Sequence, residues 1–156
     1  MHIDLICMGQ KMPTWIKTGF DEYAKRFPAN CRLNLLEITL RKRTKNADLI
    51  RLQHQEGEQM LAAIAKSAYV IALDERGQNW NTIQLADQLS QWMREYNTVA
   101  LLVGGPEGLA SACQKRAQQR WSLSALTLPH QLVRVIVAEQ LYRAWSLLNN
   151  HPYHRM

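Results

Sequence analysis

The chain has 156 residues, 47% of them apolar, with 19 Lys and Arg against 13 Asp and Glu. That length supports one domain with its own core, and the composition excludes a disordered or low-complexity chain. The longest apolar runs, "YVIAL" and "VALLV", are far too short to cross a bilayer, and "MHIDLICMG" has no basic leader. A soluble cytoplasmic protein without membrane contact is expected. The basic surplus, with a pI near 9.5, favours a polyanionic partner, which in that compartment chiefly means nucleic acid.

Taken along the chain, short apolar runs at 2–8, 33–38, 69–73, 98–103 and 121–126 predict strands. Longer amphipathic stretches at 13–27, 47–66, 81–96, 109–119 and 130–148 predict helices. Cys7 lies inside the first run and reads as a small core residue. Pro13 opens the first helix and Pro28 closes it, because proline cannot donate into a continuing helix. The run "RKRTK" at 41–45 forms a basic loop, which is either solvated or in contact with phosphates. Asn81 suits an N-cap before Thr82, and Pro129 fits the first turn of the last helix. Strict alternation of strand and helix predicts a single α/β domain over 1–156, its mostly parallel sheet flanked by helices.

The last helix is apolar around most of its circumference, from Leu132 to Leu148. Such a helix is buried on nearly all sides. Either the rest of the chain covers it or a second subunit does, and the second reading predicts a homodimer. Cys7, Cys31 and Cys113 are odd in number and widely spaced. That excludes a disulfide framework and a zinc site, and no His or Cys spacing suggests another metal.

Parallel sheets bind ligands beyond the C-terminal ends of their strands. Three such ends precede "DERGQNW", "GGPEGL" and "TLPHQL", and if their strands are neighbours these loops form one rim. "GGPEG" is neither a dinucleotide fingerprint nor a Walker loop, which disfavours phosphates. Gly104 and Gly105 lack a Cβ and let a ligand approach the backbone closely. With Leu73, Leu123, Leu126 and Leu128 as walls, the site suits a flat ring held by backbone hydrogen bonds. A tight turn leading into a helix is the other reading of the same glycines.

The run "LLVGGPEGL", followed by "WSLSALTLPHQLVRVIVAEQLYRAWSLLNNHPYHR", resembles the SPOUT methyltransferases. The likeness extends from "GQKMPTWIKTGFDEYAKRFP" through "KNAD" and "EGEQML" to the final "HPYHR". The resemblance implies a C-terminal deep trefoil knot and S-adenosylmethionine as cofactor. It further implies a homodimer that methylates N3 of a pseudouridine in large-subunit ribosomal RNA, within the assembled ribosome. A knotted enzyme acting on transfer RNA and a non-catalytic ribosome-associated RNA-binding protein are the alternatives. Carried onto matching positions, the cofactor contacts are Leu73, Gly104, Leu123, Ser124, Ala125, Leu126, Thr127 and Leu128.

For the acceptor side the candidates are His130, Arg143, Tyr153, His154 and Arg155. His130 is either a proton relay or a solvent-exposed residue of the first helical turn. Arg143 either faces the acceptor ring or a phosphate, or pairs with Glu139 one turn earlier. The tail 151–156 offers an aromatic for stacking and two groups for phosphates, and is expected to contribute no core. A frayed end is its alternative reading.

Overall fold

The computed structural model describes residues 1–155; Met156, the last residue of the tail, lies outside them. Strands β1 (His2–Met8), β2 (Arg32–Ile38), β3 (Tyr69–Asn79), β4 (Thr98–Val103) and β5 (Gln119–Ser122) form one sheet. Its order is β2-β1-β4-β3-β5, and every pairing is parallel. The flanking helices are α1 (Thr14–Ala24), α2 (Leu49–Ala63), α3 (Thr82–Glu95), α4 (Ser111–Arg116) and α5 (His130–Leu148). The expected α/β sheet is present, and the C-terminal ends of β4, β3 and β5 are adjacent, as a common rim requires.

Alternation along the strands divides the core between two faces. Ile3, Leu5 and Cys7 pack with α3 and α5 residues such as Leu89, Trp92, Val137 and Leu141. Ile6 and Met8 face the other way, against Met60 of α2 and Cys113 of α4. All three cysteines are buried and free. Burial pushes the Cys7 thiol up to about 12, partly opposed by the Arg134 charge. It is a core residue and no nucleophile.

Local signals set the helix starts. Asn81 and Gln84 form a reciprocal capping box on α3, and the Asp48 side chain caps α2. At their C-terminal ends two strands differ from the sequence reading. β5 ends at Ser122 and does not continue to residue 126. Ser122 Oγ donates to the Ser124 carbonyl, and the Leu126 N–H donates to Ser124 Oγ, curling 122–126 out of the sheet. The leucines that mimic a strand pattern there belong to a loop. β3, in contrast, outruns its expected end at Leu73. Leu73 and Gln78 both sit opposite Trp121, so residues 74–77 bulge out before pairing resumes. Gly77 is obligatory at that bulge, because a Cβ there would lie 2.7 Å from backbone atoms of Arg120 and Trp121.

One buried cation ties α5 to the sheet. Arg134 is 1% exposed. It pairs with Glu37 at 2.7 Å and donates to the carbonyls of Met8, the last residue of β1, and of Gly9. α5 also packs against α1 and α3. Val137, Ala138, Leu141 and Ala144 are fully covered, but Leu132, Val135, Ile136 and Leu147 are only half-covered in the single chain.

Replacing Arg134 by Met would leave two carbonyls and Glu37 without their partner. Breaking a buried pair typically costs about 3–5 kcal/mol, and Glu37 can reach water, so the lower end, about 3 kcal/mol, is expected. Urea unfolding of wild type and Arg134→Met at one protein concentration checks this. A change below about 1 kcal/mol would show the anchor to be dispensable.

Candidate functional site

The three neighbouring strand ends enclose a cavity of about 700 Å³. That volume suits a small-molecule cofactor. Leu73, Gly104, Leu123, Ser124, Leu126 and Leu128 all line it. Ala125 and Thr127 lie on the same loop but outside the lining. The walls differ in chemistry. Val103, Trp121 and the leucines form an apolar side, while the β3 bulge brings in Asp74, Glu75 and Arg76, with Arg120 beside them. Asp74 is held in place by the Arg76 N–H at 2.9 Å and by Gln114 Nε2 at 3.1 Å. The bulge residues were not singled out from the sequence. Their signal was the charged run "DERG" cutting into an apolar strand.

The glycine loop follows β4. Its Gly105 and Gly108 pair across the turn, and Gly108 sits at φ +79°, where only glycine is unstrained. Gly104 fits the tight-turn reading of this loop. A Cβ on Gly104 would lie 2.4 Å from the Gly108 carbonyl carbon and 2.5 Å from the Leu109 nitrogen. The fold-back of the loop alone requires glycine here, and Gly104 also lines the cavity. At Gly105 a Cβ would meet only side-chain atoms of Leu40 and Met8, from 3.2 Å outward.

His130, the first residue of α5, is half-buried and lines the cavity, so the solvent-exposed reading does not hold. Burial, followed by the Arg134 charge, holds its pKa below the ordinary histidine value. It is neutral at neutral pH and able to accept a proton.

The remaining candidates are elsewhere. Arg143 pairs with Glu139 at 2.6 Å, the i,i+4 arrangement that the sequence allowed. Residues Pro152–Arg155 form a 3-10 turn that folds back onto α5. Tyr153 donates to Glu139 at 2.9 Å and packs edge-on against Tyr142 and Tyr23, with the Arg143 guanidinium over its ring. Burial, then its hydrogen bonds to Glu139 and Tyr23, push its pKa well above the usual tyrosine value. Residues 152–155 are therefore neither frayed nor without packing, because the Tyr153 ring finds an aromatic face to cover. His154 is half-buried and Arg155 exposed. Tyr142 is twelve residues beyond His130, about 18 Å at the α-helical rise. In one chain the tail and the cavity stand apart.

Among the described residues no cluster of His, Cys, Asp or Glu has metal-binding geometry, and no helix is long and apolar enough to cross a membrane. Five parallel strands, with a glycine loop and a cavity of one apolar and one charged wall at their C-terminal ends, fit an α/β enzyme that binds a small molecule at its strand ends. A family model described as "Predicted SPOUT methyltransferase" matches residues 1–154. The chain belongs to the SPOUT methyltransferase family. It is 55% identical over 155 residues to "Ribosomal RNA large subunit methyltransferase H" of Methylococcus capsulatus, covering 99% of this chain and 100% of that protein.

The two glycines make a direct test. Gly104→Ala should destabilise the protein by about 1–3 kcal/mol with no ligand present, since backbone must move to admit the methyl. Gly105→Ala should cost less, because side chains can yield. Thermal melting without cofactor checks both, and equal melting of wild type and Gly104→Ala would overturn the self-packing argument.

Proposed function

We propose that this SPOUT methyltransferase uses S-adenosylmethionine to methylate N3 of a pseudouridine in large-subunit ribosomal RNA, in the cytoplasm and on the assembled ribosome. The end-to-end likeness to the Methylococcus capsulatus protein carries this reading over a transfer-RNA substrate.

The residues of the cavity fit the cofactor. S-adenosylmethionine combines an adenine, a sulfonium, an ammonium and a carboxylate, with no phosphate. The leucine walls suit the ring, the carboxylates of Asp74 and Glu75 suit the cations, and Arg76 and Arg120 suit the carboxylate. When bound, it supplies a methyl group already activated by the sulfonium. What remains for the protein is alignment and proton handling. Leu123 and Leu128 shield one side from water. His130, neutral and at the cavity wall, is placed to take the imide proton of the acceptor base. The exposed Arg41, Lys42 and Lys45 supply phosphate contacts that orient RNA without reading its sequence.

A second copy completes this arrangement. Leu132, Val135, Ile136 and Leu147 keep an apolar face half-open, and a homodimer through α5 would close it. It would also bring the Tyr153, His154 and Arg155 tail of one copy, with Arg143, toward the cavity of the other. The segment 123–129 leaves β5 at the sheet edge, while Arg134 anchors to β1. That path across the strand ends is consistent with the knot of the family.

Tritiated S-adenosylmethionine should label large-subunit RNA in ribosomes from cells lacking the gene, and mass mapping should place the methyl on a pseudouridine. Label in transfer RNA alone would overturn the substrate. In single turnover the rate should stay flat from neutral pH upward and fall on the acidic side, as His130 becomes protonated. His130→Gln should lose about 100-fold or more and remove that acidic fall. A mutant that keeps the fall would clear His130 of the role. Light scattering should give twice the 18.0 kDa chain mass; a monomer at micromolar concentration would refute the dimer.

A further inference from the structure

The basic run at 41–45 is split by the fold. Arg41, Lys42 and Lys45 are exposed, but Arg43 turns inward. Its guanidinium bonds the buried carboxylate of Glu56 on α2 through both terminal nitrogens. The same group donates to both oxygens of Glu107, at 3.3 and 2.7 Å. Glu107 belongs to the glycine loop. From α2, Gln53 Nε2 adds a bond to the Glu107 carbonyl at 2.9 Å. Arg43 itself does not line the cavity, whereas Glu107, Gly105 and Gly108 do. Planar, two-sided bonding of this kind is a property of arginine and not of lysine.

We propose that Arg43 is a positioning residue for the cofactor loop: bridging Glu56 and Glu107, it holds 104–109 in the shape that binds S-adenosylmethionine. This rests on the cofactor reading of the cavity given above. It also assigns Arg43 a task distinct from that of the basic residues around it, which face solvent and RNA. Glu107 answers the bridge electrostatically, since its hydrogen bond to Arg43 lowers its pKa and keeps it charged.

The test compares Arg43→Met, Arg43→Lys, Glu107→Ala and the double variant Arg43→Met with Glu107→Ala, using Lys42→Ala as the RNA-side control. Hydrogen exchange is measured without ligand, followed by S-adenosylmethionine titration and the KM for large ribosomal subunits. Arg43→Met should speed exchange of the Gly108 amide, which bonds to the Gly105 carbonyl at 3.0 Å. It should also weaken cofactor binding about tenfold, with KM for the subunits unchanged. Arg43→Lys should recover part of the loss, and the double variant should be no worse than the poorer single one. Lys42→Ala should do the opposite, raising KM and sparing cofactor affinity. Should Arg43→Met fail to fold, Glu107→Ala decides, because it leaves the Arg43–Glu56 pair intact. Wild-type exchange and cofactor affinity in the variants, or a loss confined to RNA affinity, would overturn the proposal. If wild type binds no S-adenosylmethionine, the exchange result still judges the positioning, and the cofactor reading is what fails.

Discussion

A single buried guanidinium organises the active end of this protein. Arg134 leaves the second turn of α5 and fills the carbonyl ends of β1 while neutralising Glu37 from β2. An arginine is rarely sealed from water, and its cost is met only by several well-placed acceptors. That requirement fixes where α5 begins. His130 and Val133 lie one turn or less from Arg134, so both are delivered to the cavity wall by the same anchor. The cavity is thus referenced to the end of β1, an interior strand of the sheet, and not merely to a loop.

Each wall of the cavity is made by a different local device. The β3 bulge carries charge, the β4 glycine loop carries compact backbone, and the curled segment after β5 carries leucines. None of the three is a regular element. All three are braced by regular ones: Gln114 of α4 holds Asp74, while Gln53 of α2 and Arg43 hold Glu107. Catalytic and binding loops commonly gain precision from such supports. Apolar packing behind the loops sets their positions, and polar bonds in front set their orientation.

Much of this was legible in the chain before folding. Apolar runs of about five residues alternating with longer amphipathic stretches were enough to define five strands and five helices, because a parallel sheet is buried on both faces. The rim of three loops followed from the same pattern. Boundaries were harder where two forces shared one signal. The run "WSLSAL" reads as a strand, yet Ser122 and Ser124 side chains capture backbone groups and end it early. Gly104 was legible both as a tight turn and as a point of close approach, and the turn stands out only once the loop's own return path at Gly108 and Leu109 is placed beside it. Tyr153 looked like a tail residue because its partners Tyr23 and Tyr142 are distant in sequence. Arg43 looked like one cation among several; only the position of Glu56 and Glu107 separates it from Arg41 and Lys42.

The strand order has a temporal consequence. β1 pairs with β2 early in the chain, but its other neighbour is β4, with His2 opposite Thr98. Contacts so distant in sequence form slowly, because a long loop must close before they contribute. During synthesis from the N-terminus, the middle of the sheet waits for β4, and the cavity waits longer still. Its last walls are 123–128 and the start of α5, and its anchor is Arg134. A nascent chain stalled before that residue has the strands of its sheet but an unfinished cavity. The cavity is therefore closed late, by the segments made after every strand of the sheet.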